Sequence, residues 1–226
     1  MKQYFSLDVI SDANLDIFND HTRVMNRLKN QGFSPKVIYD VGSAVLHWAK
    51  CAKRVWPDAE VFLFDAWDKL EDFYKVRDYE YNIGVLGNED GKVVNFYQND
   101  AHPWGNSYYK EIETTGVFPE SSARPKTMMT LDSVVKERGW PNPDLVKIDV
   151  QGAERDVIEG ALETFKDTRY LIVEMQHTNY NEGAPKYDVT GPWLESLGWE
   201  CIEWRFSSSS PYDSDYLFRR KSLVTD

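Results

Sequence analysis

Hydrophobic and polar positions along the chain alternate between helical and strand-like periods. Residues 15–29, LDIFNDHTRVMNRLK, put Leu15, Phe18, Met25 and Leu28 near one helical face, with Gly32 as a stop. VIYDV (37–41) reads as a buried strand, 44–56 as a helix carrying Trp48, Ala49, Ala52 and Val55 ahead of Pro57, and VFLFD (61–65) as a second buried strand. NIGVLG (82–87) predicts a third strand. NEDG (88–91) is a turn signal, and KVVNFYQ (92–98) then pairs as a hairpin or short excursion. Residues 99–127, rich in Gly, Pro, Asn, Ser and aromatics, show no period and read as a long surface loop, a feature that in compact domains often carries function.

The pattern sharpens from Thr130. LDSVVKER is a short helix closed by Gly139, LVKIDV (145–150) is a strand, and beyond Gly152 the positions Val157, Ile158, Ala161, Leu162 and Phe165 mark an amphipathic helix. YLIVEM (170–175) is a further strand and WLESLG (193–198) a helix. Two last strands, CIEWRF (201–206) and DYLFRR (215–220), are joined by SSSSPYDS. Strands alternating with helices predict a doubly wound, mostly parallel seven-stranded sheet, with ligands at the carboxyl ends of its strands. The last pair has no helix-length segment between its members and must be antiparallel, since a parallel crossover needs about a dozen residues or more. A parallel sheet ending in an antiparallel hairpin is the topology of class I S-adenosylmethionine methyltransferases. A single domain is expected over 1–226, with an N-terminal helical segment (1–34) and a Rossmann-like core (35–220).

Composition narrows the class. At 226 residues, with 42% hydrophobic and 14% aromatic positions, the chain can bury a core. A net charge of −11 without a dense Lys/Arg run argues against nucleic acid as partner. The two cysteines form no metal or disulfide spacing, the start lacks a signal-peptide core, and no run approaches the ~20 apolar residues of a membrane span. The expectation is a cytoplasmic protein without membrane contact; oligomeric state is not addressed by the sequence.

Candidate chemistry gathers at the strand ends. Asp65 closes the second strand, where a carboxylate can accept from both ribose hydroxyls of a nucleoside cofactor. A dinucleotide loop would continue G-x-G-x-x-G, but Ala44 and His47 occupy the later positions, so the small Gly42, Ser43 and Ala44 suit a phosphate-free cofactor better. Asp40 as a helix cap and Asp65 as an exposed strand-end acid are the plainer alternatives. KIDVQGAE places Asp149 at a strand end beside the reactive region, while Glu154, in the following first turn, reads as structural. Glu174 and His177 end the next strand. A hydroxyl that is to be methylated needs a base, so Asp149, Glu174 and His177 are the catalytic candidates; His177 as a surface residue, and Asp149 with Glu174 as Mg²⁺ ligands, stay open. No metal ligand set is assigned. His21 and His47 read as packing residues. In the long loop, His102, Trp104, Ser107 and Tyr108 are candidates for acceptor contact, against an aromatic loop folding on its own core.

Together VIYDVGS (37–43), VFLFDA (61–66), NIGVLGNEDGKVVNFY (82–97), GNS (105–107), TLDSVV (130–135), DLVKIDVQGAERDVIEGA (144–161) and LIVEMQ (171–176) resemble the FkbM family of methyltransferases. The resemblance implies S-adenosylmethionine as cofactor, with Asp40 and Gly42 against its methionine part, Asp65 on the ribose, the 83–86 segment near the adenine and Asp149 near the transferred methyl; Ser43, Ala66 and Val85 complete the expected cofactor-binding residues. It also implies O-methylation of a small-molecule or glycan hydroxyl, a sugar above all. Two positions depart from the family pattern: Ala44 stands where a further glycine is usual, and FDAW stands for FEP. A nicotinamide-dependent oxidoreductase and a non-catalytic cofactor-binding module are the competing readings.

Overall fold

A computed structural model describes residues 7–12, 18–112, 116–207 and 211–223. Leu15 and most of the SSSS run therefore lie outside the described residues. The elements are α1 (Leu7–Asp12), α2 (Asn19–Asn30), β1 (Val37–Val41), α3 (His47–Val55), β2 (Glu60–Asp65), α4 (Leu70–Lys75), β3 (Glu80–Ile83), β4 (Val85–Leu86), β5 (Val93–Tyr97), β6 (Ala123–Met129), α5 (Leu131–Arg138), β7 (Leu145–Ile148), α6 (Glu154–Glu159), β8 (Tyr170–Gln176), α7 (Tyr187–Ser196), β9 (Trp199–Ser207) and β10 (Asp213–Arg220).

Seven strands form one sheet in the order β3-β2-β1-β7-β8-β10-β9. The first five are parallel, and β10 runs antiparallel to both of its neighbours. The fold class expected from the pattern is the one observed: mixed α/β, mostly parallel, with antiparallel C-terminal strands. Because the parallel strands are covered on both faces, their residues are apolar on both. Ile38, Leu63, Leu145, Ile172 and Leu217 pack under α2, α3 and α4; Tyr39, Val41, Phe64, Ile148, Val173 and Phe218 pack under α5, α6 and α7. Among the described residues no helix is long and apolar enough to cross a membrane.

The structure departs from the pattern in four places. NIGVLG splits at Gly84: β3 joins the main sheet while β4 enters a small second sheet of order β4-β6-β5. The expected hairpin between 82–87 and 92–98 is therefore not formed, because β6, read as part of a loop, lies between the two. Its sequence ARPKTMM carries little apolar signal; only Met128 is fully buried. Helix α4, within WDKLEDFYK, is too short to show a period. The helix expected through Phe165 ends at Glu159, and the turns that follow bury Ala161 and Phe165 but leave Leu162 exposed. Helix α7 begins six residues earlier than the pattern suggested and holds Pro192 inside.

Candidate functional site

The loop between β1 and α3 is longer than expected because its backbone is committed elsewhere. Gly42 N and Ser43 N both donate to Phe64 O (2.8 and 3.1 Å), and Ala44 N donates to Asp65 Oδ2 (2.8 Å). Ser43 Oγ donates to Asp40 O (2.5 Å) and accepts from Phe64 N (3.0 Å), so the hydroxyl ties the loop to β2. Tyr74, from α4, donates to Ala44 O at 2.6 Å. Gly42, Ala44 and Leu46 all have positive φ (82°, 42° and 71°), and α3 starts only at His47. Ala44 thus takes the left-handed conformation that a glycine would take more cheaply. At Gly42 no other residue fits, since a Cβ would lie 1.8 Å from the Asp149 carbonyl oxygen.

A cavity of about 290 Å³ opens beside this loop at the carboxyl edge of the sheet. Gly42, Ser43, Ala44, Asp65, Ala66, Val85, Asp149, Glu174, Trp104, Ser107 and Tyr108 all line it. So do Lys147, Gln151, His21, Trp48 and Asp215, none of which was expected there. Asp40, His102 and His177 are not on its wall.

Asp65 receives Ala44 N on Oδ2 and Trp67 N on Oδ1 (2.9 Å), and burial raises its pKa against those bonds. Both oxygens keep acceptor capacity for a diol. Val85, Leu86 and Phe96 give the neighbouring wall an apolar surface that suits a purine.

Across the central strands runs a polar row on the α2/α3 face, where the alternation of β1, β7, β8 and β10 would otherwise place core residues. Asp40 and Lys147 are register partners, as are Glu174 and Asp215. Lys147 Nζ lies 3.9 Å from Asp40 Oδ1 and 2.9 Å from Asp149 Oδ2. Burial works against the ammonium, but Asp149 and Asp40 outweigh it and raise its pKa. Asp40 is fully buried, neither of its oxygens carries a hydrogen bond among the described residues, and burial pushes its pKa up to about 6. It is not on the cavity wall, and it does not cap α3, whose N-cap position is Leu46. Gln151 Nε2 donates to Asp149 Oδ1 (3.0 Å) and Glu174 Oε2 (2.8 Å). Burial opposes the Asp149 charge, yet Lys147 holds its pKa low; burial and then Asp149, Asp213, Asp215 and Glu154 push Glu174 well above the usual carboxylate range. Among the described residues no cluster of three or more His, Cys, Asp or Glu side chains is placed to hold a metal ion. The positive charge beside Asp149 is the Lys147 ammonium.

His177 stands apart from this row. Arg205 donates to its Nε2 at 2.5 Å, and burial with the guanidinium lowers its pKa. A lone pair engaged by a guanidinium is not available to an acceptor hydroxyl. His102 is exposed in the loop, two residues before the half-exposed Trp104 at the cavity rim.

The loop over the cavity is pinned at several points. Tyr108 and Tyr109 hydroxyls both donate to Asp156 Oδ2 (2.9 Å each), Trp67 Nε1 donates to Asp100 Oδ1 (2.9 Å), and Asn181 Nδ2 donates to Tyr109 O (2.6 Å).

A strand order with β10 between β8 and β9, and a one-glycine loop facing a strand-end acid, define a methyltransferase-type fold. Residues 40–201 match the methyltransferase FkbM domain, and the chain belongs to that family. It is similar to the 2-O-methyltransferase NoeI of Sinorhizobium fredii (strain NBRC 101917 / NGR234), 43% identical over 53 residues, a stretch that spans 24% of this chain and 22% of that protein. Among solved structures it is similar to magnesium protoporphyrin IX methyltransferase from Synechocystis PCC 6803 (14% identity, 97% of this chain and 86% of that one, TM-score 0.48). It is likewise similar to the O-methyltransferase TomG from Streptomyces achromogenes (8% identity, 96% and 89%, TM-score 0.48).

Proposed function

We propose that this domain transfers a methyl group from S-adenosylmethionine to a hydroxyl oxygen, with a sugar or glycan hydroxyl as acceptor. The observation that carries the cofactor half is the placement of Asp65. It ends β2 beside the one-glycine loop and lines the same cavity as Asp149 and the apolar Val85 and Leu86. Those residues fit the cofactor: Asp65 would hold the ribose hydroxyls, Val85, Leu86 and Phe96 the adenine, and the Gly42–Ala44 backbone with Asp149 the amino-acid end. When bound, that cofactor supplies an electrophilic methyl group on sulfonium. The chain itself orients the partners and keeps water out, which is where most of the rate of such an in-line displacement comes from.

A nicotinamide dinucleotide is disfavoured by the same loop. Its pyrophosphate would need free amide N–H groups, and those of Gly42, Ser43 and Ala44 already bond Phe64 and Asp65. The acceptor half rests on the partial similarity to a 2-O-methyltransferase, and on a wall with more carboxyls than cations, which suits a neutral polyol better than an anion. Trp104 at the rim offers a flat apolar face for a sugar ring.

Calorimetry with S-adenosylhomocysteine tests the cofactor, and tritiated S-adenosylmethionine with a panel of methyl glycosides of neutral sugars tests the acceptor. Micromolar binding and transfer to at least one glycoside are expected. Absence of binding refutes the cofactor, and binding without any transfer refutes the sugar acceptor.

A further inference from the structure

The group that accepts the acceptor's proton is the one role the expected residues leave open. His177 is off the cavity wall with Nε2 engaged by Arg205. Burial and the neighbouring carboxylates push the Glu174 pKa up, and its Oε2 accepts from Gln151, while Asp149 is ion-paired with the Lys147 ammonium, which lowers its basicity, and accepts from Gln151 on its other oxygen.

The polar row continues one strand further, onto β10. Because β10 runs opposite to β8, a residue near its beginning sits at the carboxyl edge of the parallel strands, where Asp215 pairs in register with Glu174. Asp215 is buried and lines the cavity at the end formed with Ser207, Phe18 and His21. His21 Nε2 lies 3.0 Å from Asp215 Oδ2, and Trp48 Nε1 donates to His21 Nδ1 at 3.1 Å. An indole has only a donor, so Nδ1 is the acceptor, the ring is neutral, and its one proton sits on Nε2 pointing at Asp215. Phe18 and Phe206 close on the His21 ring edge-to-face, at 5.2 and 5.0 Å between centroids. Helices α2 and α3 thus contribute a rigid Trp–His support for one carboxylate on the cavity wall.

We propose that Asp215 takes the proton of the acceptor hydroxyl, with His21 and Trp48 as positioning residues behind it. The inference rests on the methyl-transfer reading above. The acceptor oxygen forms the new C–O bond with its lone pair, the S–CH3 bond breaks and leaves its electron pair on sulfur, and the hydroxyl proton passes to Asp215 and then to solvent. Glu174, its register partner on β8, lines the same cavity, so two carboxyl groups face neighbouring oxygens of the acceptor. That arrangement matches adjacent hydroxyls of a sugar ring.

The test uses Asp215→Asn and His21→Gln in the intact chain, with the methyl glycoside turned over fastest by the wild type. For Asp215→Asn, kcat is expected to fall about 100-fold or more, the scale of a lost general base. Affinity for S-adenosylhomocysteine should stay within threefold. In Asp215→Ala, added formate should restore part of the turnover. In His21→Gln, kcat should fall about tenfold with little change in the acceptor's KM. Calorimetry should also show the glycoside binding the S-adenosylhomocysteine-loaded Asp215→Asn protein about tenfold more weakly than the loaded wild type. A kcat within threefold of wild type in Asp215→Asn overturns the proposal and leaves the methyl-transfer reading standing. Loss of S-adenosylhomocysteine binding in that variant shows a structural role and overturns it as well. If the wild type itself binds no S-adenosylhomocysteine or transfers to no glycoside, both fall together.

Discussion

Gly42 and Asp149 approach each other across the tops of β1 and β7 so closely that a Cβ on Gly42 would stand 1.8 Å from the Asp149 carbonyl oxygen. The β1–α3 loop and the strand end that carries Asp149 are therefore one rigid unit. Gly42→Ala should lower the unfolding free energy by about 2 kcal/mol or more, the range of overpacking combined with a strained φ, and should abolish S-adenosylhomocysteine binding. Two residues on, Ala44 already holds a left-handed φ of 42°. Ala44→Gly should stay within about 1 kcal/mol of wild type, because relief of that strain offsets the greater freedom of glycine in the unfolded chain. Urea unfolding of both variants, with calorimetry, checks the contrast.

Asp65→Ala removes a charged acceptor that faces the cavity and leaves Ala44 N and Trp67 N without their partner. At about 1.5–3 kcal/mol for each hydrogen bond to a charged group, S-adenosylhomocysteine affinity should fall on the order of 100-fold. Unchanged affinity in a folded variant would remove Asp65 from the site.

Glu154 is buried, accepts Val150 N and Gly152 N at 3.0 Å each, and still has its pKa pushed up to about 7 by burial. Its folded pKa lies above the unfolded one, so the stability it contributes is fully present below about pH 4 and is lost as pH rises through about 7. Asp40, at about 6, acts in the same direction. Glu154→Gln keeps an oxygen for both N–H groups, and its stability should vary less between pH 5 and 8 than that of the wild type. Urea midpoints across that range decide it; an equal slope in the two proteins would contradict the assignment.

Tyr108 and Tyr109 both lean on Asp156, which lies on α6 outside the cavity. Asp156→Ala should free the loop over the cavity, raising amide hydrogen exchange at residues 104–110 by roughly tenfold or more. S-adenosylhomocysteine affinity should change little. Unaltered exchange would mean that Trp67 with Asp100, and Asn181, hold the loop without the tyrosines.

Much of this arrangement was written locally. The apolar runs of β1, β2, β7 and β8 mark themselves as strands buried on both faces, and Asp65, Gly42 and Asp149 stand out because they end those runs. The short gap between β9 and β10 forces them antiparallel. Elements too short or too polar to show a period, α4 and β6, were not visible, and the hairpin expected of β5 failed because its true partner comes from a sequence about 30 residues further on. His177 stands out as a candidate base because it follows a strand end; its engagement by Arg205, reached across the sheet from β9, has no local signature.

By itself, then, the sequence determined the class of sheet, the carboxyl edge at which the cavity opens and the one-glycine loop, since each depends on residues adjacent in the chain. Only the tertiary structure decided which polar residues share the cavity. Inserting β10 between β8 and β9 turns a strand around, so that its first residues meet the last residues of its neighbours. Asp215 thereby stands opposite Glu174, and His21 and Trp48, nearly 200 and some 170 residues away in sequence, close over it. Contacts of that span come from register and helix packing across the whole sheet, which no stretch of the chain encodes alone.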